Sequence, residues 1–164
     1  MRTVVLRVVA LALLLLLALV GAIAVRTMQR VPDTVVYFVR DQGTTFTLEG
    51  VNRRLGRSTP AERAAAQVTA LAAGPTADEI TRGLRSNVPP DTAVLGATFS
   101  GGTLTVDLSG AFERGGGTAA MLGRLNQLFY TLTQPADVSA VRLLLDGAAV
   151  TVFSADGLLV DDPW

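Results

Sequence analysis

Eighteen consecutive apolar or small residues, VVALALLLLLALVGAIAV, occupy positions 8–25 without a charge. A helix over this run has no polar face. At 1.5 Å per residue it reaches about 27 Å, close to a thin hydrocarbon core. Beyond it the pattern breaks into short segments. Val35-Val36-Tyr37-Phe38-Val39 is a β-branched and aromatic run that reads as a buried central strand. After the turn residues Asp41-Gln42-Gly43, Thr45-Phe46-Thr47-Leu48 alternates as its partner.

Helical spacing follows. Thr59-Pro60-Ala61-Glu62 sets a hydroxyl at the N-cap, proline at N1 and glutamate at N3. Ala64, Ala65, Val68, Leu71 and Ala72 then form a small-residue apolar stripe that stops at Gly74-Pro75. A second capping box, Thr76-Ala77-Asp78-Glu79, opens a short helix ending near Gly83. Further on, Thr118 starts a helix to about Leu132, with Leu122, Leu125, Leu128, Phe129 and Leu132 as its expected buried face. Tyr37, Phe129 and Tyr130 are expected in the core.

Two hairpins complete the pattern. Val94–Phe99 and Thr103–Leu108 flank Ser100-Gly101-Gly102; in the second strand Leu104, Val106 and Leu108 share one face and Thr103, Thr105 and Asp107 the other. Val141–Leu145 and Ala149–Phe153 flank Asp146-Gly147, a pair suited to a type I′ turn, whose central residues both need positive φ. The order β-β-α-(α)-β-β-α-β-β predicts an α+β fold: a compact two-layer domain, two main helices on one face of a mostly antiparallel sheet. Residues 31–164 read as one such domain and residues 1–30 as a transmembrane segment with its flanks.

The N-terminus supports two readings. Arg2 and Arg7 precede the apolar run in the order of an export signal, so residues 31–164 are expected outside the cytoplasmic membrane. An uncleaved, single-pass signal anchor fits the eighteen-residue length. Cleavage after Ala22-Ile23-Ala24 fits the small-x-small rule and would release a secreted or periplasmic domain. With no cysteine, lipid attachment is excluded.

Composition narrows the chemistry. There is no Cys and no His, and all fourteen basic residues are Arg, so Lys is absent too. A thiol nucleophile, a Cys/His metal site, a Ser-His-Asp triad and a Schiff-base or P-loop lysine are excluded. No cofactor is expected. Arg2, Arg7, Arg26 and Arg30 flank the apolar run, leaving ten arginines against fourteen acidic residues in 31–164, a net charge of −4. That acidic balance argues against a nucleic-acid partner.

Candidate sites are few. Asp107, Glu113, Asp146 and Asp156 are the acids from which a hydrolytic pair would be drawn, but their turn and solvent-face contexts read as structural. Gly115-Gly116-Gly117 before a helix reads as a connector rather than an anion cradle, since no lysine accompanies it. Arg53, Arg54 and Arg57 cluster as a candidate interaction patch. They are either a solvated face or a contact for anionic lipid headgroups or an acidic partner. No catalytic residue is expected.

Several separated motifs carry a family resemblance. Leu71-Ala72-Ala73-Gly74-Pro75, Glu79, Gly83-Leu84-Arg85-Ser86 and Val88-Pro89-Pro90-Asp91-Thr92 come first. Gly102-Thr103-Leu104-Thr105-Val106-Asp107-Leu108-Ser109, Phe112, the helix holding Asn126 to Thr133, and Val141 to Gly147 follow in order. Over about residues 35–160 the chain resembles the GerMN domain, the GerM-type module of sporulation and spore germination. The resemblance implies an exported bacterial envelope module, similar to ring-building motifs. It also implies protein–protein assembly with envelope proteins or by self-association, rather than catalysis. Binding of peptidoglycan or another envelope ligand is the alternative it implies. The chain departs from the family in lacking the lipid-attachment cysteine and in having one such domain where the spore protein has two.

Overall fold

The computed structural model describes residues 11–22, 32–41, 45–56, 59–153 and 158–159. The chain divides into two units, Met1–Pro32 and Asp33–Trp164. In the first, residues 11–22 form helix α1, exposed along its described length. Among the described residues no helix is long and apolar enough to cross a membrane. The remainder of the 8–25 run, including the Ala24 cleavage position, lies outside them.

The second unit begins with β1 (Thr34–Asp41) paired antiparallel along its whole length with β2 (Phe46–Arg53). Helix α2 (Pro60–Ala73) opens with the expected capping box: the Glu62 N–H donates to Thr59 Oγ1 at 3.2 Å and the Thr59 N–H to Glu62 Oε2 at 3.4 Å. Gly74 closes it with a positive φ of 80°. Short α3 (Ala77–Thr81) leads to β3 (Leu84–Arg85), which returns to pair with β1 and completes a sheet of order β2-β1-β3.

A second sheet has the order β4-β5-β6-β7. β4 (Val94–Ser100) and β5 (Thr103–Leu108) form the expected hairpin, turned by Gly101 and Gly102 at φ of 56° and 81°. A 3-10 turn at Gly110–Glu113 precedes α4 (Thr118–Leu132). β6 (Ala140–Leu145) follows, then β7 (Ala148–Ala149) after Asp146-Gly147, whose φ values of 49° and 82° are those of the expected turn. β8 (Val152–Phe153) and β9 (Leu158–Leu159) make a separate pair.

The fold is α+β, and it differs in detail from the sequence expectation. The strands divide into separate sheets rather than one, and β5 pairs with β6 in parallel. α4 supplies the reason: a strand that continues through a crossover helix returns in the same direction. Strand β2 also runs five residues past Leu48. The alternation slips at Leu48-Glu49, both half-buried, so the exposed positions fall at Thr47, Gly50 and Asn52 and the sequence pattern does not carry past Leu48.

One hydrophobic core joins these pieces. β1 contributes Val36 and Phe38, α2 Val68 and Leu71, β5 Leu104, Val106 and Leu108, and α4 Leu125, Leu128 and Leu132, all essentially excluded from water. Burying side chains of this size is worth about 1.5–3 kcal/mol each before entropy is set against it. The expected core includes three residues that lie outside it, Tyr37, Leu122 and Tyr130, of which Tyr37 is half-buried. Leu122 and Tyr130 are 44% and 54% exposed on the open stripe of α4, and Tyr130 reaches from it to the ring of Tyr37 on β1, 5.8 Å between centroids.

Candidate interaction surface

The arginine patch is reshaped by its neighbours. Arg53, the last residue of β2, turns inward over Phe38, with the guanidinium carbon 5.4 Å from the ring centroid. It donates to both Glu79 oxygens, at 2.7 and 2.5 Å. Glu79 also accepts the Thr76 N–H at 2.8 Å, so one carboxylate caps α3 and holds β2. The Arg53 bonds hold the Glu79 carboxyl at about 2, well below its ordinary range, against the opposing effect of burial. Arg54, the next residue, is exposed. Arg57 lies outside the described residues. The structure therefore separates Arg53 from Arg54 instead of joining them on one face.

Sequence reasoning gave Glu79 only its capping role. The signal for the second role is thin: an acid in the first turn of α3 gives no spacing rule that reaches back 26 residues to Arg53.

Arg54 instead stands at one wall of a groove of about 530 Å³ along the outer side of α2, lined also by Leu55, Glu62, Ala66, Thr69 and Ala73. The loop beside it is fixed by Asp33, whose carboxylate accepts the Leu55 and Gly56 N–H groups at 2.8 and 2.6 Å. Those bonds, the one from Leu55 foremost, hold the Asp33 carboxyl below its ordinary range. A second open cavity of about 510 Å³ lies between α2 and α3, with Ile80, Leu84, Arg85, Val88 and Pro90 among its walls.

The acidic residues have structural partners. Asp107 accepts the Gly147 N–H at 3.0 Å and Asp146 the Gly110 N–H at 3.1 Å, so both carboxylates brace the β6–β7 turn against the end of β5. Asp156 lies outside the described residues. Glu113 ends the 3-10 turn and raises, by its charge, the basicity of Arg124. Among the described residues no group of His, Cys, Asp and Glu side chains has the arrangement to hold a metal ion.

The glycine loop has a different role from phosphate binding. Gly115–Gly117 opens the crossover helix of a β-α-β unit, a context the sequence reading did not assign to it. Its Gly115 carbonyl accepts from Arg124 Nη2 at 3.0 Å. Arg124 is almost fully buried and spends its other nitrogens on the carbonyls of Asn87, at 2.8 Å, and Phe112. Desolvation lowers its basicity. The guanidinium thus pins the Asn87, Phe112 and Gly115 carbonyls together, which fixes the loop that leads into α4.

These features define a small α+β module, and comparison assigns its family. The family described as "Germane: Sporulation and spore germination" matches residues 35–151, and the chain belongs to it. In fold it is similar to the first GerMN domain of the sporulation protein GerM from Bacillus subtilis. That likeness has a TM-score of 0.65 at 20% identity over 79% of this chain and 94% of the other. The tandem GerMN domains of the same protein give a TM-score of 0.61 at 22% identity, over 79% of this chain. This chain covers only 43% of that tandem structure. A candidate lipoprotein from Clostridium perfringens gives 0.58 at 17% identity, over 79% of this chain and 84% of the other. No curated protein matches the sequence.

Proposed function

We propose that this chain is a non-enzymatic envelope protein, held in the cytoplasmic membrane by residues 8–25, whose exported domain, residues 31–164, mediates protein–protein assembly. The observation that carries the reading is how the domain uses its ionisable groups. Glu79, Asp33, Asp107 and Asp146 are committed to an arginine or to backbone N–H groups, and Arg124 to carbonyls. Large apolar side chains stand outside instead: Ile80, Leu95, Leu122 and Tyr130 are each 44–59% exposed. Large apolar side chains that stand outside are the kind that anchor protein contacts. Membership of a sporulation and germination family supports an envelope role. The unbroken apolar run and its flanking arginines support the anchor.

Affinity capture of the tagged full chain from membranes, combined with sedimentation of the purified protein, tests this. Specific partners or concentration-dependent association are expected. A chain that stays monomeric and recovers no partner would sink the reading.

A second reading is binding of peptidoglycan or another envelope ligand. It is favoured by the open groove along α2 with Arg54 at its wall. Co-sedimentation with purified sacculi separates it from assembly, which requires no sacculus binding.

A further inference from the structure

A sheet edge is a row of unpaired backbone donors and acceptors, and natural folds guard it with charge, proline, shortness or a cover. Most outer edges here are guarded. β2 carries Glu49 and Arg53. β3 and β7 are two residues long. Where β3 leaves β1 uncovered, α4 reaches across: the Tyr37 N–H donates to Thr131 Oγ1 at 3.0 Å and the Tyr37 carbonyl accepts from Gln127 Nε2 at 3.1 Å.

β4 is different. It is the terminal strand of its sheet, seven residues long, with neither a charge nor a proline. Its bulge falls at Leu95, so Gly96–Ser100 keeps an unbroken register with β5. Gly96, Thr98 and Ser100 are small and exposed, which lets another backbone approach, and Leu95 beside them is 54% exposed.

The geometry points to β4 as a homotypic seam: Gly96–Ser100 of one chain pairs antiparallel with the same segment of a second copy and extends the four-stranded sheet across a two-fold axis. The inference rests on the assembly reading and gives it a surface and a partner. Three features favour a second copy over another extended segment. An antiparallel strand pair is closed by a two-fold axis, so each copy offers the other what it lacks. The domain is acidic overall, yet 94–100 carries no charge, so identical copies meet there without like-charge repulsion. Copies anchored in one membrane also share a plane, which raises their effective concentration. That matters because a five-residue seam is short and belongs to the weak class of contacts.

The test exploits the absence of cysteine, which makes any introduced thiol unique. Thr98 of β4 and Thr105 of β5 are register partners on one face. Across the seam the Thr105 pair lies two strand spacings farther apart than the Thr98 pair, about 10 Å. Full-length Thr98→Cys and Thr105→Cys chains in membranes are treated with a short bis-maleimide, with thermal melts confirming that each is folded. Thr98→Cys is expected to give several-fold more covalent dimer than Thr105→Cys. Adding Leu95→Lys to Thr98→Cys is expected to cut that yield. Equal yields from the two sites, or no dimer from Thr98→Cys in a chain that still associates or captures a partner, overturns the seam and leaves the assembly reading standing. A Thr98→Cys adduct to a different protein overturns the second copy as the occupant. No dimer, with a monomer by sedimentation and no partner recovered, removes both.

Discussion

The Arg53 guanidinium and the Glu79 carboxylate meet at two points, 2.7 and 2.5 Å, with side chains 19% and 8% exposed. The pair ties the end of β2 to the start of α3. Glu79 is held at about 2 when folded, against an ordinary 4.5. A depressed folded-state value stabilises the fold fully above the ordinary one, and that contribution is lost as pH falls through the folded one. Glu79→Gln is expected to cost about 2 kcal/mol at neutral pH, since it leaves Arg53 partly buried without its charge partner. The gap between wild type and variant should narrow steadily from about pH 4.5 towards pH 2. Urea unfolding across that range checks it; a gap that is the same at about pH 3 as at pH 6 would refute the assignment.

Gln127 of α4 provides a second cross-link. Its side-chain oxygen accepts the Asn87 N–H at 2.7 Å, while its amide donates to the Tyr37 carbonyl at 3.1 Å, and the side chain is wholly buried. Gln127→Leu keeps the bulk and strands a buried donor and acceptor at once. A loss of about 2–4 kcal/mol is expected. Thermal unfolding and amide exchange at Asn87 are the readouts. Protection of that amide should fall in Gln127→Leu and survive in Leu122→Ala, which alters an exposed position of the same helix.

Local signals made the elements legible, and long-range partners stayed hidden. Thr59 and Glu62 announce α2 because a capping box is written within four residues. Asp146 and Gly147 announce their turn because both must reach positive φ. Arg53 and Glu79, or Gln127 and Tyr37, are joined only once the chain has folded, and no spacing records it. The parallel β5–β6 pairing failed for a similar reason. The hydrophobic pattern marks strands but not which edge a crossover returns to. Leu122 and Tyr130 misled because helical spacing defines a stripe whose width depends on what packs against it. The arginine patch rests on adjacency in the chain, yet Arg53 ends β2 and turns inward over Phe38, while Arg54, one residue past the strand, is exposed.

Gly50 is required by its cross-strand partner. A Cβ there would lie 2.8 Å from Val35 Cγ1 and 3.3 Å from the Tyr37 ring, which stands opposite in the register. Tyr37 also packs on Tyr130 at 5.8 Å between centroids, so its ring has little freedom to retreat. Gly50→Ala should therefore destabilise by about 1–2 kcal/mol. Gly96→Ala is the control, since its Cβ would meet only Asp107 Cβ at 4.0 Å. Denaturant midpoints should show a loss at position 50 and none at position 96, where a slight gain from chain stiffening is expected.

Arg124 gives the sharpest test of geometry against charge. Its three nitrogens serve the Asn87, Phe112 and Gly115 carbonyls from a site only 3% exposed, with the guanidinium carbon 5.8 Å from the Phe112 ring centroid. A lysine keeps a positive charge but presents one compact donor group where a planar fork spans three segments. Arg124→Lys and Arg124→Met are both expected to cost about 2–4 kcal/mol, with lysine giving no rescue. Hydrogen exchange should speed up across residues 110–117 in both, because the loop loses the same clamp. Wild-type stability in Arg124→Lys would show that charge alone suffices and that the three-way fork is incidental.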